Sequence, residues 1–245
     1  MLRLPGLIYL DPEKTGSTFI RRFLAATVKG APENTLDTQR SLKHRPTRSE
    51  KIPGMIYLAS TRHPLDQYLS LYRFGQVGKG AFRASMNRAG LAYLYKDEHI
   101  NEWFEFITSA KARPLFDEMF NIVPDSVTLG PASLRLIKAC VPFPKRLLKK
   151  VSLNTDIEEA FLQQDLTDHL VRQEHLYADL EAFIRNAPPQ VFDLTQALSC
   201  LHSSSPVNTT ENSKVGHEVI EPRLKNRIQE LDALVIKHGG YAPLT

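Results

Sequence analysis

A chain of 245 residues that is 42% hydrophobic and 24% charged holds enough apolar material for one sizeable core, so a disordered polymer is excluded. The net charge of +4 favours an anionic ligand but is too mild a bias to indicate nucleic acid as a partner. Two cysteines, Cys140 and Cys200, without a C-x-x-C pair, point to neither a disulfide framework nor a zinc site. No apolar run approaches the roughly 18 residues that cross a bilayer. The first apolar run is broken by Pro5-Gly6 and ends at Asp11, too short for a signal-peptide core. The expectation is therefore a cytoplasmic protein with free thiols and no membrane association.

In chain order, Leu7 to Leu10 reads as a short buried strand that stops at an acid and a proline. Glu13-Lys14-Thr15-Gly16-Ser17-Thr18 follows, and Phe19, Ile20, Phe23 and Leu24 then recur at helical spacing. A lysine among small hydroxyl residues at a strand-to-helix turn suits an anion. The first amides of a helix lack internal partners, glycine permits close approach of the backbone, and lysine adds a point charge. The lysine precedes the glycine, so the loop is not the G-x-x-x-x-G-K-[ST] of nucleoside triphosphate enzymes. An ordinary helix start capped by Thr15 or Ser17 is the competing reading.

Residues 29–53 are polar and basic and read as a loop with a short helix; long loops in compact domains often carry function. Gly54 to Thr61 reads as a second buried strand, followed by a helix that Pro64 opens and that puts Leu65, Leu69 and Tyr72 on one face. Residues 97–120 carry two helical patterns, Asp125 to Gly130 a third strand, and 131–149 a helix with a basic end. The segment "DHLVRQEHLYADLEAFI" is a strand entering a helix, with Asp179 and Glu181 along the polar side. Cys200 to Gly216 is a polar loop, and an amphipathic helix from Pro222 stops at Gly239-Gly240. Alternating strands and helices predict one α/β domain over 1–245, a three-layer sandwich whose central parallel sheet is flanked by helices.

Arg62 stands where the second strand hands over to its helix. Ligands of parallel sheets bind beyond the carboxyl ends of the strands, so Arg62 and the Lys14 loop belong to one edge. Ser70 lies two turns along that helix, off the apolar stripe, and an arginine with a hydroxyl suits a terminal phosphate. Alternatively Arg62 caps a carboxylate and Ser70 is a packed or solvated helix residue.

The segments "PEKTGSTFIRRFL" and "STRHPLDQYLSLYRF" together resemble the two signature segments of sulfotransferases that use 3′-phosphoadenosine 5′-phosphosulfate, most closely the carbohydrate-type, membrane-sulfotransferase-like branch. "LVRQEHLYADLEAFI" and the closing Gly240-Tyr241 are similar to that branch as well. Here Glu13 separates proline from lysine, His63 stands before Pro64 where Asn or Asp is common, and Gln67 replaces a frequent arginine.

The resemblance implies a P-loop-like fold and transfer of a sulfuryl group from that donor to a hydroxyl, of a saccharide by analogy with the branch, without a metal. Lys14, Thr15, Gly16, Ser17 and Thr18 would hold the 5′-phosphosulfate, with Lys14 on the leaving oxygen. Arg62 and Ser70 would hold the 3′-phosphate, and Lys214, in the Ser204–Gly216 loop, would close over both. A histidine suits the base that takes the acceptor's proton. His44 in the basic loop is the first choice; His63, then Glu33 and Glu50, follow. Lys43, Arg45 and Arg48 are placed to recognise an acidic acceptor. The alternatives are a P-loop-type kinase or phosphotransferase, disfavoured by the missing triphosphate motif, and a nucleotide-binding module without catalysis.

Overall fold

The computed structural model describes residues 1–44, 50–124, 126–151, 156–204 and 216–243. The chain packs as two compact bodies. One comprises Met1–Arg62, Leu136–Pro144 and Gln164–Thr209; the other comprises His63–Arg135, Lys145–Gln163 and Thr210–Thr245.

The first body is α/β. Its open sheet has four strands in spatial order, β1 (Leu2–Leu4), β2 (Leu7–Leu10), β3 (Ile56–Thr61) and β4 (His169–Arg172). β2, β3 and β4 are parallel, and β1 pairs antiparallel with β2. The break at Pro5-Gly6 is thus a hairpin turn joining two strands: Leu4 pairs with Leu7, and Gly6 takes the positive φ of +72° that such a turn requires. β2 is buried along its whole length, as expected of a strand covered on both faces. Its Leu7 and Tyr9 share a core with Phe19, Ile20, Phe23 and Leu24 of α1 (Ser17–Thr27). Leu180, Phe183, Ile184, Ala197 and Leu201, from the helices Leu176–Asn186 and Leu194–Ser203, complete it. Each large aliphatic side chain buried here contributes roughly 1.5–3 kcal/mol.

The second body is helical and aromatic. Tyr72, Tyr95, Trp103 and Phe104 pack with ring centroids 5.1–5.9 Å apart. Gly75 admits the Tyr95 ring, because a Cβ there would lie 2.0 Å from a ring carbon. The buried Asp232 accepts from the Tyr68 hydroxyl at 2.7 Å and from the Ser133 amide at 2.6 Å.

Several expectations need correction. Of the third strand expected over Asp125–Gly130, Asp125 lies outside the described residues and 126–130 are a turn and bend followed by irregular chain, whose Gly130 amide donates to the Leu231 carbonyl. The helix expected over 131–149 is two, Pro131–Cys140 and Pro144–Lys150, broken where Phe143 takes φ +55° before a proline that disfavours helix at its predecessor. The last helix is also two, Pro222–Leu231 and Ala233–Gly239, because Asp232 leaves helical geometry to serve its buried partners; Gly240 still ends it in the left-handed region. The segment expected to be a loop from Cys200 is helical as far as Ser203. Among the described residues no helix is long and apolar enough to cross a membrane.

Candidate functional site

The carboxyl end of β2 turns sharply. Lys14 has φ +68° and Gly16 φ +79°, so the chain bends on both sides of Thr15 before α1 begins. Phe19 and Ile20 donate the first helical bonds to the Gly16 carbonyl, so the amides of Ser17 and Thr18 precede the ladder. No side chain caps this end and its first turn holds no acid. A helix start with no side-chain cap and no acid in its first turn is suited to an external anion. Lys14, Gly16 and Thr18 are half-buried, and Ser17 is buried.

The Thr15 hydroxyl faces inward instead. It donates to the Pro12 carbonyl at 2.8 Å and lies 2.6 Å from the Ser60 hydroxyl, which is itself 2.6 Å from the Tyr9 hydroxyl. This buried chain pins the loop to β2 and β3. Toward an anion Thr15 therefore offers its backbone rather than its side chain.

His44 lies at the root of the same loop. Its Nδ1 is 3.0 Å from the Asp11 main-chain oxygen and 3.2 Å from Asp11 Oδ1. Arg21 donates to Asp11 Oδ2 at 3.2 Å and to the Met1 carbonyl at 3.0 Å. Burial alone would push the Asp11 carboxyl up. The His44 ring facing it, the Met1 amino group and Arg21 outweigh it and hold the carboxyl below the ordinary range. His44 has φ +56°; among the described residues only Lys14, His44 and Phe143 are non-glycine residues with positive φ.

The neighbouring strands end on the same edge. Leu10 is paired with Ala59 and Thr61 with Arg172, so Arg62 and Gln173 leave β3 and β4 beside the loop. Arg62 is half-buried. The Gln173 side-chain amide lies over Gly16, 2.9 Å from where a Cβ would sit, but that flexible end could move aside; it is the φ of +79° that calls for glycine. Arg172 is fixed by a two-pronged bond to Asp179, each contact 2.9 Å, and its amide donates to the same carboxylate. Asp179 thereby acts as a brace at the strand end. Asp11, Arg172 and Gln173 were not singled out from the sequence. Asp11 read as a strand stop, and nothing in the chain order marks Gln173 as lying over Gly16.

The other expected residues divide between the two bodies. Ser70 belongs to the second body, half-buried on the helix Pro64–Gln76. His63 caps that helix, its Nδ1 accepting from the Leu65 amide at 3.3 Å, and its ring meets Tyr241 edge-on at 5.4 Å. Gln67 is buried in the same helix, while Glu33, Glu50 and Lys43 are exposed. Lys214, Arg45 and Arg48 lie outside the described residues.

The second body also holds a cavity of about 230 Å³ with Arg113 and Arg227 in its wall. Arg113 donates to the Val127 carbonyl and Arg227 to the Thr108 carbonyl, each at 3.0 Å, so both arginines brace that wall.

The edge of the first body thus gathers helix-start amides, one lysine, two arginines and an imidazole set on a buried carboxylate. Such a set can bind a polyanion and move a proton. Compared with protein-family models, curated proteins and solved structures, the chain has no match.

Proposed function

We propose that this chain is a sulfotransferase that uses 3′-phosphoadenosine 5′-phosphosulfate and sulfates a hydroxyl, with saccharides as the acceptor class, and that its first body is a P-loop-like sulfotransferase core. The observation that carries this reading is that His44 is bonded to Asp11 at the end of β2, three residues before Lys14, and that Lys14 and His44 both have positive φ. Such strain persists where the surroundings enforce it, and it clusters at functional sites.

The donor fits what the edge offers, since the start of α1 has neither a side-chain cap nor an acid. The amides of Gly16, Ser17 and Thr18, with the Ser17 and Thr18 hydroxyls, would hold the 5′-phosphosulfate, and Arg62 the 3′-phosphate. The bound donor supplies the sulfuryl group, whose bond to the bridging oxygen breaks as the acceptor oxygen bonds to sulfur. Lys14 stabilises the charge that gathers on the departing phosphate oxygen, an effect largest in the transition state. His44 accepts the proton that the attacking hydroxyl loses.

Thermal shift against a small ligand panel tests the binding half. A ligand that binds the folded state alone raises Tm by mass action. The expected order is 3′-phosphoadenosine 5′-phosphate above adenosine 5′-phosphate and above ATP with magnesium. Arg62→Ala is expected to weaken the bisphosphate by roughly 2–4 kcal/mol while barely changing the monophosphate. Preference for ATP sinks the reading, and equal losses for both adenosine ligands remove Arg62 from the 3′-phosphate.

A further inference from the structure

We propose that Asp11 and His44 form a carboxylate–imidazole couple in which Asp11 holds the ring with its proton on Nδ1, leaving Nε2 as the nitrogen that accepts a proton. The catalytic use of the couple rests on the sulfotransferase reading above; the tautomer does not.

Nδ1 faces two atoms, the Asp11 main-chain oxygen at 3.0 Å and Oδ1 at 3.2 Å. A carbonyl oxygen and an ionised carboxylate oxygen can only accept, so the ring nitrogen between them carries the hydrogen. A neutral imidazole has one N–H, and with Nδ1 protonated the lone pair is on Nε2. Nδ1 hydrogen-bonds to the main-chain oxygen. Oδ1 is buried and takes no hydrogen bond among the described residues, so the ring is its nearest donor. A buried carboxylate oxygen with no hydrogen bond is costly, and a charge on the facing ring would repay that cost.

The other carboxylate oxygen is occupied. Arg21 donates to Oδ2, and the two side chains are 6% and 0% exposed. The permanent charge beside the couple is Arg21; the Met1 amino group, which donates to the Leu42 carbonyl at 2.6 Å, is lowered by burial to about 6. With the His44 ring and Arg21 facing it, Asp11 is held below the ordinary carboxylate range and stays an acceptor. Asp11 directly follows β2 and lies three residues before Lys14. The couple therefore sits at the base of the anion loop, with His44 in the left-handed region at φ +56°.

When Nε2 takes the proton released by the attacking hydroxyl, His44 becomes an imidazolium whose Nδ1–H faces the carboxylate. Asp11 stabilises that cation without being protonated, and Nε2 later gives the proton to solvent. Asp11 touches no reacting atom and is a positioning residue.

The direct test is the long-range ¹⁵N–¹H spectrum of the histidine rings in the ligand-free wild-type protein, with the His44 signals assigned by their loss in His44→Gln. The expected pattern for the neutral ring is a protonated Nδ1 and a pyridine-like Nε2. A protonated Nε2 overturns the couple whatever the protein's activity. The second test is a cycle in turnover. Asp11→Asn is expected to cost about 10–10³-fold with bisphosphate binding unchanged, and to cost nothing further in a His44→Ala background. Additive losses would mean that Asp11 acts by holding the fold rather than through His44. If Asp11→Asn does not fold, the wild-type spectrum alone decides. An active His44→Ala protein beside a protonated Nδ1 would refute the catalytic role and leave the couple standing.

Discussion

Asp11 closes β2 in the first body, and Asp232 separates the last two helices of the second. They are 2% and 0% exposed, yet their carboxyls are driven in opposite directions. Burial pushes both up. Asp11 meets an imidazole, a guanidinium and the Met1 amino group, and ends below its ordinary value. Asp232 meets neutral donors, the Tyr68 hydroxyl and the Ser133 and Ala132 amides, and rises to about 6. The partners of a buried acid, more than the depth of its burial, decide its charge. The difference also separates two kinds of site. Charge partners hold Asp11 ionised at an edge that offers lysine and free helix amides. Neutral partners make Asp232 a brace that ties Tyr68 to the start of the helix Pro131–Cys140.

Substitutions should separate the two regions, the largest effect coming at the edge. Lys14→Ala is expected to lower turnover by several orders of magnitude, with a smaller loss of bisphosphate affinity and an unchanged Tm. Near-normal turnover would remove Lys14 from the chemistry. Asp232→Ala should show the reverse pattern in urea unfolding. Each donor orphaned by losing the carboxylate costs about 1–3 kcal/mol, and a folded remainder should still bind bisphosphate. A variant as stable as wild type would mean that Asp232 braces nothing.

The smallest effects are in the dependence of stability on pH, and there the two acids should differ in sign. Asp232 has a folded value near 6 against an ordinary 3.8, so the native state holds a proton that the unfolded state releases between those values. Its contribution is complete below about pH 4 and is lost as pH rises through 6, to a total of roughly 3 kcal/mol. Asp11 is held below its ordinary value, so its contribution is present above that value and is lost as pH falls through the folded one. Asp232→Asn should flatten the decline between pH 4 and 6, and Asp11→Asn the decline on the acid side. If each variant keeps the wild-type slope in its own window, the contrast between the two acids fails.

The edge was more legible in the sequence than the rest of the molecule, and for a physical reason. A strand, an uncapped helix start and a lysine among small residues lie within twelve positions, so local chemistry announced them. The same holds for Arg62 at the end of β3. Features made by distant contacts were not readable. Asp232 sits inside an amphipathic pattern that continues across it, and only its bonds to Tyr68 and Ser133, 164 and 99 positions away, explain why the helix breaks there. Val127 and Leu129 look like a strand, but their apolar side chains are buried from a bend and irregular chain. The short β1 was hidden because Pro5-Gly6 reads equally as a break and as a hairpin turn. Charge and position singled out His44 in its basic loop, whereas the Asp11 it contacts lies 33 residues earlier and carried no such signal.

Sulfuryl transfer itself is the most direct test of the central claim. The wild-type protein would be given donor labelled with ³⁵S in its sulfuryl group, together with a mixture of neutral and acidic oligosaccharides. The account predicts label appearing on saccharide with stoichiometric release of 3′-phosphoadenosine 5′-phosphate, and neither event above background in Lys14→Ala. Label that stays with the donor across the acceptor mixture, or transfer that is undiminished in Lys14→Ala, would contradict it.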